Sequence, residues 1–477
     1  MTARTEPTPE RPAPESPTPE SLAPAPWREV FAGARGRLTV GLLILEALVA
    51  MEALIVVTIL PAIERDIGGL ALYGWTFTSY VLASIGAVPI AGRITDRLGP
   101  RRVLAVTVVL YVAGLVIAAA APTMFVVVVG RFVQGVGGGG VYMVSLAAVA
   151  KTDPDRTRPR VMALLASMWI LPGLFGPPVG SLIAGTIGWR WAFLAPIPAI
   201  VFGVLLILPA LRRIGVEPDQ EPLPVVGSLL LMVGTGVFLA GLTRIGWITL
   251  ALVPIGLAVA LPGFRRVTPP GTLLARAGTP AAAAAAFLAS CAFLAVDGFL
   301  TLMLTKVRGL SIVQAGFVVT AASVSWAAGS WYESRTVTRR GARWLVTRGA
   351  IVLSVGIVLV GAGVFRDVPI VVPYVGWALG GLGMGIVFPT IPLAIMGQAT
   401  QGKEAGDLSP AILMDFLGIG LGAGLGGASV ALADAGTLSI EAAIGGAFAI
   451  GLVAALVLVF VGRRMPDARP VSASPLT

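Results

Sequence analysis

Fourteen apolar stretches, most of them about twenty residues long, follow one another along this chain with short charged clusters between them. They fall at roughly 38–62, 72–92, 103–121, 124–149, 161–187, 191–210, 223–243, 246–263, 279–304, 311–332, 348–365, 368–395, 409–432 and 438–462. A helix of that length crosses the hydrocarbon core of a bilayer, and buried backbone polar groups there must be satisfied internally. A mean hydropathy of +0.90 rules out a soluble globular fold, whose exterior has to be wetted. The expected class is an all-α integral membrane protein with about fourteen transmembrane helices.

An even number of spans puts both termini on one side, and the basic residues test which side. With the N-terminus inside, the outer loops hold Arg65, Arg190, Arg244, Lys306, Arg308 and Arg366. Of the 34 basic residues, all the others except Arg131 then fall on the cytoplasmic side. Both termini are therefore expected to be cytoplasmic, and the strong bias to arginine over lysine makes a bacterial inner membrane, crossed many times, the expected location. The net charge of +10 sits in these loops and does not point to nucleic acid. Histidine is absent and Cys291 is the single cysteine, so neither a metal site nor a cofactor is expected. Any proton chemistry must use carboxylates. Gly402-Lys403 lacks the rest of a phosphate-binding loop, so ATP drive is not expected either. A membrane enzyme is the poorest reading of such a composition.

The chain repeats itself. Gly130-Arg131-Phe132-Val133-Gln134-Gly135 in span 4 aligns with Gly376-Trp377-Ala378-Leu379-Gly380-Gly381 in span 12. Glu52 in span 1 aligns with Asp297 in span 9, and Gly92 with Asp96 aligns with Gly329 with Glu333. The pattern predicts two six-helix bundles related by a pseudo-two-fold axis, with two helices inserted between them. Their expected extents are a tail and interfacial segment over 1–37, a first bundle over 38–213, the inserted pair over 214–276, a second bundle over 277–465 and a tail over 466–477.

Three motifs carry a family resemblance, over nearly all of residues 38–465. Gly92-Arg93-Ile94-Thr95-Asp96-Arg97-Leu98-Gly99-Pro100-Arg101-Arg102 resembles the signature loop between spans 2 and 3 of the major facilitator superfamily. Arg131 with Gln134 and Gly135 is similar to its span 4 motif, and Gly173, Gly176-Pro177-Pro178 and Gly180 to the span 5 motif of its antiporters. Fourteen spans and the Gly188-Trp189-Arg190-Trp191 loop resemble its drug:proton antiporter group. The resemblance implies a conformational latch at Gly92, Asp96, Arg97, Gly99, Arg101, Arg102 and Glu333. It implies a close-packed seam at Gly173, Gly176, Pro177 and Gly180, and proton transfer involving Arg131. It also makes the protein a transporter rather than an enzyme, with a small molecule, protons and membrane lipids as partners and a single chain as the working unit.

Glu46, Glu52, Asp297 and Asp415 lie within spans. An ionised carboxylate in hydrocarbon is costly, so each must pair, line water or bind a proton. Glu52 and Asp297 are expected to face one cavity, where a cationic substrate and protons compete, with Asp415 as a further contact. Glu46 is six residues before Glu52, about 120° around the helix, and is read as a local partner of a cytoplasmic-side arginine or as a protonated acid. Tyr80, Tyr142, Trp169, Trp326, Tyr374 and Trp377 are candidates to line the cavity with aromatic faces. Proton-driven export of small hydrophobic or cationic compounds is the expected function. A symporter, a lipid mover, and a sensor or scaffold without transport are the alternatives.

Overall fold

The computed structural model describes residues 27–152, 161, 164–165, 168, 170–212, 225–242, 247–396 and 404–466. Fourteen long helices stand among the described residues, and we number them α1 Gly33–Ile67, α2 Trp75–Leu98, α3 Pro100–Ala119, α4 Met124–Thr152, α5 Ile170–Thr186, α6 Ile197–Leu211, α7 Val225–Leu242, α8 Trp247–Val267, α9 Thr279–Leu302, α10 Ile312–Arg340, α11 Ala342–Ala362, α12 Val371–Met396, α13 Glu404–Asp434 and α14 Ile440–Gly462. Thirteen described segments are long and apolar enough to cross a membrane. The one left out is α5, whose 17 residues lie just short of that length. Much of the start of its expected span lies outside the described residues.

Packing follows the sequence repeat. Helix α1 packs on α4, α5 and α6, α2 on α4, and α3 on α4 and α6. Eight helices further on, α9 packs on α12, α13 and α14, α10 on α12, and α11 on α12 and α14. Two six-helix bundles result, and they meet along the equivalent seams α2–α13 and α5–α10. The hairpin of α7 and α8 is attached outside, with α7 lying on α2 and α13.

In hydrocarbon no hydrophobic force pulls helices together, so they must pack closely by shape, and small residues permit it. At Gly135 in α4 an added Cβ would sit 2.1 Å from the Tyr80 carbonyl oxygen of α2. At Gly381 in α12 it would sit 2.0 Å from the Ala322 carbonyl oxygen of α10. The two close approaches are the same contact in the two bundles. Equivalent turns also join α2 to α3 and α10 to α11: Gly99 has φ 84° and Gly341 has φ 77°, backbone that glycine adopts without strain.

Several direct contacts between the bundles gather at one end, which we call the Gly68 end; the opposite one is the Gly99 end. Pro61 in α1 has no N–H to give to Val57 four residues back. The Val57 carbonyl accepts the Thr301 hydroxyl of α9 instead, at 2.9 Å. Lys306 lies in a π-helical turn, Met303–Val307, that extends α9. Its Nζ meets Glu64 of α1 at 2.6 Å. Tyr73 and Phe299 have ring centroids 5.7 Å apart, and the backbones of Gly74 and Gly427 touch.

A Cβ on Gly74 would lie 2.4 Å from the Gly427 Cα and 2.8 Å from the Ala423 carbonyl oxygen. Gly74→Val therefore forces the bundles apart and costs about 1–3 kcal/mol, read as a lower thermal midpoint in detergent. Gly445→Ala, where nothing lies within 4 Å of the new atom, is the control that leaves the midpoint in place.

Candidate functional site

In the first bundle the structure brings Glu52, Arg131, Gln134, Thr76 and Tyr80 together. Glu52 is 2% exposed and Arg131 3% exposed, both in the interior. One terminal nitrogen of Arg131 lies 2.5 Å from Glu52 Oε1 and donates to Gln134 Oε1 at 2.7 Å. Its Nε donates to the Thr76 carbonyl at 3.1 Å. The guanidinium carbon also sits 4.5 Å from the centre of the Tyr80 ring. A cation at this depth is tolerable only with a counter-charge and its N–H groups used. Reaching toward the membrane surface, the alternative fate of such an arginine, is not what Arg131 does.

The second bundle builds the same slot with different chemistry. Asp297, 2% exposed, occupies in α9 the place of Glu52 in α1. Trp377, in the place of Arg131, donates its indole N–H to Asp297 Oδ1 at 2.8 Å. The spacings match as well, 79 residues from Glu52 to Arg131 and 80 from Asp297 to Trp377. Phe293, one turn before Asp297, stacks on Trp377 with centroids 4.8 Å apart and meets the edge of Trp326 at 5.2 Å. Another turn earlier, the Ser290 hydroxyl donates to Asp415 of α13. Residues at i, i−4 and i−7 share one helix face, so α9 presents Asp297, Phe293 and Ser290 as a single stripe.

Glu52 and Asp297 are not brought into contact. Each takes its described hydrogen-bond partner from its own bundle. Among the aromatic candidates, Trp377 is fully buried. Tyr142 crosses between bundles to Phe416, with centroids 6.2 Å apart. The Tyr374 hydroxyl donates to the Gln314 carbonyl at 2.6 Å, within the second bundle. Trp169 lies outside the described residues, as do the side chains of Arg93 and Asp96. Of the remaining latch residues, Arg97, Arg101 and Arg102 are exposed at the Gly99 end. Gly92 faces Met143 of α4. Glu333 is buried in the second bundle, where Thr390 of α12 donates to it at 3.4 Å. In span 5, Gly173 lies against Ser323 of α10, and Gly176 and Gly180 lie against Leu54 and Ile55 of α1. Pro177 is buried between them.

Sequence reasoning missed Glu64 with Lys306, whose pairing spans almost the whole repeat and leaves no local pattern. It missed the clamp on Asp66, which accepts from Trp189 Nε1 at 3.0 Å and pairs with Arg190 at 2.8 Å. Phe293 and Ser290 had a usable signal, their spacing from Asp297.

A family model described as Major Facilitator Superfamily matches residues 42–409. A Mycobacterium tuberculosis protein named "Probable multidrug-efflux transporter" is 28% identical over 447 residues, covering 88% of this chain and 94% of that one. "Multidrug transporter protein MdtP" of Bacillus subtilis is 25% identical over 388 residues, 78% of this chain and 70% of that one. Among solved structures, a POT family peptide transporter aligns with a TM-score of 0.68 at 17% identity, over 90% of this chain and 98% of that one. A D-xylose-proton symporter aligns with a TM-score of 0.65 at 15% identity, over 92% and 99%. These two are likenesses of fold. With the family model running along most of its length, the chain belongs to the Major Facilitator Superfamily, a family of membrane transporters rather than enzymes.

Proposed function

We propose that the protein is a proton-coupled antiporter that exports small hydrophobic or cationic compounds by alternating access, with Asp297 as the acid that trades a proton for substrate. The observation that carries this reading is the unequal filling of two equivalent slots. Glu52 is neutralised by Arg131 at 2.5 Å. Asp297 is buried as deeply and receives one indole N–H, with no cation beside it among the described residues. A carboxylate kept from water without a counter-ion takes up a proton or an organic cation. The Phe293, Trp326 and Trp377 rings offer π-faces that suit a lipophilic cation. Asp415, held by Ser290, supplies a second acid two turns along α9.

The names of the relatives, efflux and multidrug transporters, support the direction of transport and the breadth of substrate. The contacts at the Gly68 end describe a state closed there, which under the charge rule is the outer side of a bacterial inner membrane. Substrate then arrives from the cytoplasmic side, the bundles rock about the α2–α13 and α5–α10 seams, and incoming protons displace it outward. A proton crossing about 100 mV releases roughly 2.3 kcal/mol. A pH unit adds about 1.4 kcal/mol, so the two together support a gradient of several hundredfold for a neutral substrate. For a monovalent cation exchanged one for one the potential cancels, and the pH unit alone supports about tenfold.

Everted membrane vesicles test the direction: on energisation the protein accumulates tetraphenylphosphonium inside them, whereas a symporter does not. Asp297→Asn abolishes both this uptake and the protons released when the cation is added to purified protein. Undiminished proton release in that variant removes Asp297 as the coupling acid. Glu52 and Arg131 behave as a structural pair. Arg131→Ala leaves Glu52 buried without its counter-charge and costs about 3–5 kcal/mol, seen as a lower thermal midpoint in detergent. Pairing Arg131→Gln with Glu52→Gln restores most of that loss.

A further inference from the structure

A groove of about 450 Å³ runs between α11 and α14, away from both acid slots. It is lined by Ile351, Val355, Val358, Leu452, Leu456 and Phe460, with Ser354 the one polar side chain in its wall. The walls are open to the surroundings rather than closed over by other helices: Ile351, Val355, Val358, Leu456 and Phe460 are all exposed. In a membrane protein this surface faces acyl chains, and its concavity makes it a seat rather than a wall.

Charge at one mouth selects what sits there. Helices α11 and α14 are antiparallel, and Gly462 packs against Val346 and Thr347, so the start of one lies beside the end of the other. Arg348, one turn before Ile351, holds its guanidinium 5.8 Å from the Trp344 ring. Arg463, one turn after Phe460, holds its own 5.6 Å from that groove-lining ring. Both are exposed, and no carboxylate among the described residues pairs with either. Their neighbours are already committed. Arg343 donates to the Met465 carbonyl at 3.1 and 3.2 Å, and Arg464 donates to the Leu274 carbonyl at 3.2 Å.

We propose that this groove is a binding site for one anionic phospholipid. Its acyl chain lies along Val355, Val358, Leu452 and Leu456, and its headgroup phosphate sits between Arg348 and Arg463. The groove-lining stretch of α11 from Ile351 to Leu359 rises about 12 Å, which carries a substantial part of a chain from the headgroup toward the bilayer centre. Guanidinium groups match phosphate oxygens in geometry and charge. The aromatic rings beneath them, Trp344 and Phe460, hold them at the depth where chain gives way to headgroup. The site does not depend on the transport reading, since none of its residues belongs to either acid slot.

The test uses the full chain in nanodiscs of equal parts phosphatidylglycerol and phosphatidylcholine, followed by native mass spectrometry of the lipids retained. Wild type keeps phosphatidylglycerol in preference. Arg348→Ala with Arg463→Ala lowers that preference about tenfold or more. Val355→Trp with Leu456→Trp fills the groove and removes the retained lipid, at positions exposed enough that folding survives, which the thermal midpoint verifies. The proposal is overturned by equal retention of both lipids in wild type. An unchanged preference in the arginine variant, unchanged retention in the filled variant, or a stable dimer whose interface is this groove overturns it equally.

Discussion

Charge that cannot reach water dictates how this protein is built. At the depth of Glu52 a carboxylate without a partner destabilises the whole helix that carries it, and a guanidinium does the same. The first bundle answers with both at once, and Arg131 then spends its remaining donors on Gln134 and on the Thr76 carbonyl. Because Glu52 stands on α1, Arg131 and Gln134 on α4, and Thr76 and Tyr80 on α2, satisfying one cation fixes three helices against one another. The glycines of α4 follow from that requirement. Were Gly135 any larger, α2 would be held too far away for Thr76 and Tyr80 to reach the guanidinium.

Between the bundles the contacts are of a different kind. The seams are made of small residues and single hydrogen bonds. Gly74 meets Gly427, Gly173 meets Ser323, and Thr78 donates to the Gly420 carbonyl at 3.3 Å. The ion pair that crosses among the described residues, Glu64 with Lys306, sits at the Gly68 end with Lys306 partly exposed. Water there lowers both the strength of the pair and the cost of breaking it. Buried polar bonding ties the helices within each half, through an ion pair in the first and an indole hydrogen bond in the second, and close packing joins the halves.

Much of this was legible in the sequence because hydrocarbon allows so few solutions. The spans could be counted, and the repeat aligned Arg131 with Trp377 and Glu52 with Asp297. What did not show was partnership. Nothing local distinguishes an acid that faces a cavity from one that faces an arginine 79 residues away. Two facing acids were therefore expected where each proves to be bonded inside its own bundle. Lys306 was similarly opaque, since its direction depends on the π-helical turn Met303–Val307, a change of helical register that periodicity does not reveal. Trp377 stands where the repeat places Arg131, and it fills the same position as a hydrogen-bond donor to the acid.

That substitution is the point where the symmetry of the fold stops being a symmetry of charge. If both slots held an arginine, each acid would face a fixed counter-charge. If both held a tryptophan, two bare acids would share the interior, and the empty transporter would have to bury both charges or bind two protons. One slot of each kind gives a fixed, internally balanced bundle against which the other can change its charge state. On the proposed reading the charge of the interior is set at Asp297, with Asp415 as the second acid. A proton and a monovalent organic cation balance the Asp297 carboxylate equally well while excluding each other. The proposed exchange of one for the other rests on that equivalence.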